Sequence, residues 1–265
     1  MKRWMLSGLL LAVVAGTAVA NDTWLFADAP VLRSGQPLEL RATTGATFPM
    51  FGLAPDPSGV ARAGWRTGSQ RGEIASFEKE ESTIVARGRP LAEGVAVAWL
   101  DFRPREVELG AKEVAHYFDE IGASESLRQA WASAGPDATF HETRTMHAKT
   151  FVRVGDAPAD RTCLEAVGPA VEFLPDRDPT SLAAGATLGV KVMKKGNELE
   201  GFAVGVVCGA DGSTTQQRTN KAGYVQIVIR HGGWWLIRGT ELRRNADGTW
   251  DSDVSTMTFY AGGNR

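Results

Sequence analysis

The segment Thr219–Arg238, TNKAGYVQIVIRHGGWWLIR, decides the class of fold. Asn220 to Gly223 form a turn signal, because glycine reaches the positive φ of tight turns without steric cost. Tyr224 to Arg230 then read as a strand rich in β-branched and aromatic residues. His231, Gly232 and Gly233 turn the chain again, and Trp234 to Arg238 begin a second strand, so the segment reads as a hairpin. Successive strand side chains point to opposite faces, so at most one of Trp234 and Trp235 enters a given core. No residue of the segment is poised for catalysis.

The same texture extends outward. From Gly155 to the end the chain reads as short strands, at Ala170–Leu174, Leu188–Val192, Leu199–Val207 and Val254–Tyr260, separated by turns such as Asp176–Pro179, Lys195–Asn197 and Asn245–Gly248. This is the spacing of an antiparallel sandwich. On the N-terminal side, Leu38, Leu40 and Ala42 alternate with Glu39, Arg41 and Thr43 as in a half-buried strand. GVAVAWLDF, residues 94–102, places Val95, Val97, Trp99 and Asp101 on one face. The pattern changes to helical spacing between residues 111 and 135. Val114, Ala115, Phe118 and Ile121 make one stripe, Gly122 stops it, and Ser124 caps a second helix with Leu127, Ala130 and Trp131 inward. Residues 44–69, rich in glycine and proline, carry no periodicity.

These elements predict a mainly β protein of two antiparallel, Ig-like β-sandwich domains with a helical insertion in the first. Residues 1–20 read as a cleaved signal peptide: Lys2 and Arg3 lead an apolar run that ends at Ala18-Val19-Ala20. The first sandwich spans 21–155, the linker GDAPAD covers 155–160, and the second sandwich spans 160–265. The expected product is therefore periplasmic or secreted and not membrane-spanning. The net charge of −2 and pI near 6.1 exclude a nucleic-acid surface. Cys163 and Cys208 lie 208 − 163 = 45 positions apart. Export permits a disulfide worth about 4 kcal/mol, and two buried thiols are the alternative.

The chemistry-bearing residues are sparse. There is no G-x-S-x-G elbow, phosphate loop, EF-hand or H-E-x-x-H motif, so no enzyme is predicted. Among the four histidines, His141 with Glu142 and, six residues later, His147 lie near one predicted strand, Met146–Val154, while His116 and His231 read as solvated. Numerous tryptophans leave room for a glycan partner as the competing, interaction-module reading.

NDTWLF after the leader, MHAKTFVRVGD in mid-chain, and LAAGATLGVKVMKKGNELEGFAVGV with KAGYVQIVI, GGWWLIR and VSTMTFYA together resemble one bacterial family. It is a domain of unknown function, some members of which are periplasmic accessory components of nickel or cobalt uptake. The C-terminal half is also similar to carboxypeptidase-regulatory-like and transthyretin-like sandwiches. The resemblance implies a divalent transition metal, nickel or cobalt, and a partner in an inner-membrane transport component or other envelope protein. Many members begin the mature chain with histidine, whose amine and imidazole suit nickel or copper. Here Asn21 stands at that position, followed by Asp22. The candidate metal residues are thus Asn21, Asp22, His141 and His147, with Asn21 and Asp22 a weaker donor set than the family's.

Overall fold

Apolar residues on both faces of one strand need two covers, and the Gly94–Phe102 segment has them. In the computed structural model, which describes residues 21–135, 138–156 and 161–262, Val95 and Val97 enter one core while Ala96, Ala98 and Leu100 enter another. The expected leader and residues 157–160 of the expected linker lie outside the described residues.

In chain order the first strands are β1 (Asp22–Ala27), β2 (Val31–Leu32), β3 (Pro37–Gly45), β4 (Val60–Thr67), β5 (Gln70–Glu73), β6 (Glu78–Lys79), β7 (Ile84–Pro90), β8 (Gly94–Phe102) and β9 (Arg105–Leu109). Helices α1 (Ala111–Glu120) and α2 (Glu125–Ala132) follow. The chain then forms β10 (Phe140–Val154), β11 (Val171–Pro175), β12 (Thr187–Lys194), β13 (Asn197–Glu198), β14 (Ala203–Cys208), β15 (Thr214–Arg218), β16 (Tyr224–Val228), β17 (Gly233–Arg244) and β18 (Trp250–Ala261).

The fold is mainly β, in three sheets. A ten-stranded central sheet runs β15-β14-β17-β18-β10-β8-β4-β5, with β2 and β9 also on β10. One four-stranded sheet, β1-β3-β7-β6, supplies Leu25, Leu38, Leu40 and Ile84 to a core shared with Ala96, Leu100 and Val152 of the central sheet. The other, built from β11, β12, β13 and β16, packs Phe173, Val190 and Ile227 against Phe151, Ile237 and Phe259. Most ladders are antiparallel, but β10 pairs with β18 in parallel, from Glu142↔Trp250 to Thr150↔Thr258. A parallel pair cannot be closed by a tight turn and needs a long crossover. Here the crossover is most of the C-terminal half, and the pairing joins strands that precede and follow the expected linker in one sheet.

Two expectations need correcting. β16 and β17 do not form a hairpin: β16 pairs with β12, and β17 pairs with β14 and β18, in a different sheet. The His231-Gly232 turn therefore crosses from one sheet to the next, because Val225 and Ile227 face the core from one side and Trp235 and Ile237 from the other. Trp235 is buried in that core, whereas Trp234 packs on Phe26 outside it, as strand alternation requires. On α1 the buried stripe is Val114, Tyr117 and Phe118, and Ala115 is exposed. The tyrosine ring turns inward because its hydroxyl has a buried acceptor, described below.

Among the described residues β1 pairs with β3 alone, and its outer side is closed by side chains. Thr256 and Thr258 of β18 donate their hydroxyls to the Thr23 and Leu25 carbonyls. Those backbone acceptors would otherwise be buried unpaired. Cys163 and Cys208 are thiols, both buried in the same core.

Candidate functional site

β1 begins in a cleft to which both halves of the chain contribute. Arg238 of β17 donates from Nη1 to Asp22 Oδ2 at 2.5 Å and to Glu120 Oε1 at 2.9 Å. Glu120 is the last residue of α1, and Gly122 follows with φ 60°, a conformation that glycine reaches freely. A Cβ at Gly122 would come within 2.8 Å of Ala203 and Gln216, so the helix end packs directly on β14 and β15. The open carbonyls of the helix end take donors from β15: Gln216 Nε2 reaches the Glu120 carbonyl at 3.3 Å, and Arg218 Nη2 reaches that of Gly122 at 2.9 Å. The cationic donor, Arg218, also suits the negative end of the helix dipole.

The free space in the cleft is about 30 Å³, with Asn21, Asp22, Glu120, Gln216 and Arg238 on its walls. That is room for a water-sized group. Burial pushes the Glu120 carboxyl above its ordinary range, and Arg238 only partly offsets this. Glu120 Oε2 is buried without a hydrogen-bond partner among the described residues.

Tyr117 and Arg144 line the same space from a fully buried network. Tyr117 donates to Glu142 Oε1 at 2.9 Å, and Arg144 Nη2 donates to Oε2 at 2.7 Å. Ser252 Oγ also donates to Glu142 Oε1. The Arg144 guanidinium stands 4.9 Å from the Tyr117 ring centre. Burial and the Glu142 charge hold the Tyr117 phenol neutral, far above its ordinary range. Every charge in this network is answered, as burial demands.

A second polar cluster lies on the opposite face of the central sheet, at the rim of the C-terminal core. His147 Nδ1 bonds Asp101 Oδ1 at 3.0 Å, and its Nε2 lies 3.8 Å from Asp253 Oδ1. Arg62 donates to Asp101 at 2.6 Å and Arg243 to Asp253 at 2.8 Å. Burial opposes a charge on His147, but the two aspartates outweigh it and raise the imidazole to about 9. Beside it Lys149 donates to Glu172 Oε1 at 2.8 Å, and Glu172 also accepts the Val167 and Gly168 amides. Both side chains are over 90% buried.

The four residues expected to ligate a metal are not assembled into one centre. Asn21 and Asp22 lie in the cleft, where Asp22 is already paired with Arg238. His141 is exposed and bonds Glu108 at 3.1 Å. His147 lies six residues further along the same extended strand, roughly 20 Å away at strand rise. Among the described residues no group of three or more His, Cys, Asp or Glu side chains could hold a metal ion. A nickel or cobalt ion does not fit the cleft as it stands: the guanidinium of Arg238 occupies the position between the two carboxylates, and Asn21 offers an amide. Glu120, Gln216 and Arg238 carried no sequence signal. Asp101 did, as a carboxylate on the apolar face of GVAVAWLDF, and so did Lys149 amid MHAKTFVRV.

The fold and the cleft define a mainly β protein whose first strand begins at a charged junction of its sheets. The chain belongs to the family described as a domain of unknown function, DUF4198, whose model matches residues 18–240. No curated protein matches it. Among solved structures, it is similar to the fibronectin(III)-like modules of Clostridium thermocellum CbhA, at 9% identity and TM-score 0.20, over 90% of this chain and 94% of that one. The D0-D1 domain of intimin gives 12% identity and TM-score 0.21, over 91% and 98%. The Yersinia pseudotuberculosis adhesin InvE gives 10% and 0.24, over 89% and 58%. At these scores the fold rests on the strand pairing alone. Among the described residues no helix is long and apolar enough to cross a membrane.

Proposed function

We propose that this is an exported, non-enzymatic accessory protein of the kind associated with nickel and cobalt uptake, working in the periplasm beside an inner-membrane transport component or another envelope protein. It is organised as two Ig-like sandwiches, with the helical pair an insertion in the first. Its ligand end is the cleft around Asn21, and metal capture there is degenerate. The observation that carries this reading is the bridge from Asp22 through Arg238 to Glu120, which joins the start of the mature chain, the helical pair and the central sheet in one polar pocket. A fixed internal cation between two carboxylates competes with any metal ion for the same oxygens.

The test is calorimetric titration of the exported protein with nickel and cobalt. The wild type should bind no more tightly than a chain blocked at Asn21. Asn21→His combined with Arg238→Gln should gain at least tenfold in affinity. Tight nickel binding by the wild type would overturn the degenerate reading, and no gain in the double variant would overturn the cleft as the ligand end.

A second reading, an interaction module for an envelope protein or glycan, is favoured by one observation. Met50, Phe51 and Leu53 are 66%, 51% and 69% exposed on the loop that follows β3. Loss of co-purification with envelope proteins on Phe51→Ser and Leu53→Ser, with metal titrations unchanged, would select it.

A further inference from the structure

The cleft holds two carboxylates and one guanidinium, and it shares its small cavity with Asn21. Arg238 uses Nη1 on both Asp22 Oδ2 and Glu120 Oε1, leaving the cluster one negative charge in excess. Of the cluster's carboxylate oxygens, Glu120 Oε2 is buried and has no hydrogen-bond partner among the described residues. Buried carboxylate oxygens are ordinarily answered by a donor, and the cost of leaving one unanswered is large. The needed donor is cationic, compact and next to Asp22.

We propose that the α-ammonium of Asn21, created by cleavage after Ala20, enters this cavity and pairs with Glu120 Oε2, so that processing of the chain completes a buried four-charge cluster. The placement follows from the chain itself. Asp22 is held by its own carboxylate on Arg238, and Asn21 is one Cα step, 3.8 Å, behind it. An ammonium offers three donors, enough for Oε2 and the Asn21 side-chain oxygen together. With it the cluster has two positive and two negative groups, the balance that buried charges require. Before cleavage the same nitrogen is a neutral amide that brings no charge. Processing thus locks the start of β1 against α1 and β17. This inference rests on the export reading but not on what the cleft binds.

The exported product is compared with a chain that keeps Val19 and Ala20 ahead of Asn21, which moves the ammonium about 7 Å away. The exported form should melt about 2–4 °C higher, and the gap should vanish in the Glu120→Gln pair of proteins. A crystal structure of the exported form should place the terminal nitrogen within hydrogen-bond distance of Oε2, a readout that does not depend on the variant folding. Equal melting temperatures, a gap that persists in Glu120→Gln, or a terminus turned away from Glu120 would overturn the pairing alone. An exported product whose mass does not begin at Asn21 would overturn the export reading and the pairing with it.

Discussion

His147 on β10 and Asp101 on β8 meet through a 3.0 Å contact between Nδ1 and Oδ1, inside a row of alternating charge that runs from Arg62 through Asp253 to Arg243. The folded imidazole titrates at about 9, above the ordinary 6.5. A group whose folded value is raised contributes fully below its unfolded value and loses that contribution as pH rises through the folded one. The row should therefore stabilise the protein fully below about pH 6.5 and lose on the order of 3 kcal/mol by pH 9 to 10. Melting temperature measured from pH 6 to 10 should fall across that window in the wild type and stay flatter in His147→Gln. Identical profiles would show that His147 is not charged in the folded state.

Arg238 makes a different prediction, because removing it strands two carboxylates rather than one proton. The Arg238, Asp22 and Glu120 side chains are only 20%, 14% and 16% exposed. Arg238→Gln should cost roughly 3 kcal/mol, the usual penalty for breaking a buried pair by removing one partner. Adding Asp22→Asn and Glu120→Gln should restore part of the loss, since no bare carboxylate is then left. Urea unfolding of the three proteins reads this directly, and a single-variant cost below 1 kcal/mol would mean that water already solvates the cleft.

Strands whose own run of β-branched and apolar residues marks them are legible in the sequence. GVAVAWLDF became the Gly94–Phe102 strand, and the helix start at Ala111 and the Ser124 cap were marked by local chemistry. What was not legible depends on partners far away in the chain. The turn at His231–Gly233 is the same whether the next strand returns to its neighbour or crosses to another sheet, so only the pairing of β16 with β12 reveals the crossing. The cleft is harder still: Arg238 lies 216 positions from Asp22 and 118 from Glu120. No local pattern announces that an ordinary surface-looking glutamate at a helix end will be buried against them.

Residues 44–69 illustrate the same limit and give a third prediction. Trp65 stands directly opposite Gly72, and Gly64 stands opposite Trp99. Each ring lies over the facing glycine, so that a Cβ on Gly64 would come within 2.7 Å of Trp99 and one on Gly72 within 2.9 Å of Trp65. Gly64→Ala must displace the Trp99 ring or the strand and should cost about 1–3 kcal/mol, although alanine is no worse than glycine in strands generally. Gly64→Ala combined with Trp99→Leu should recover part of this, because the new Cβ still lies 2.9 Å from the Gly72 carbonyl oxygen. Chemical denaturation with a double-mutant cycle is the check, and additive costs would mean that the ring and the glycine are not coupled.

The two adjacent tryptophans of β17 offer the sharpest test of the layered architecture, because one substitution repeated at neighbouring positions should report two environments. Trp235 is 3% exposed among Ile237, Phe259 and Val206, and its indole donates to the His231 carbonyl at 3.1 Å across the sheet-crossing turn. Trp235→Ala removes a large buried ring and a hydrogen bond and should cost about 3–5 kcal/mol. Trp234 points the other way, edge-on to Phe26 at 5.0 Å and to Tyr260 at 5.6 Å, and is half-buried. Trp234→Ala should cost about 2 kcal/mol, chiefly those ring contacts. A hairpin within one exposed-faced sheet would also bury one ring more than the other, so the size of the difference alone does not discriminate. The discriminating measurement is coupling. Trp234→Ala should be non-additive with Phe26→Ala of β1, and Trp235→Ala with Ile227→Ala of β16, in the facing sheet. Additivity in the second pair would contradict the placement of β16 and β17 on opposite sides of one core.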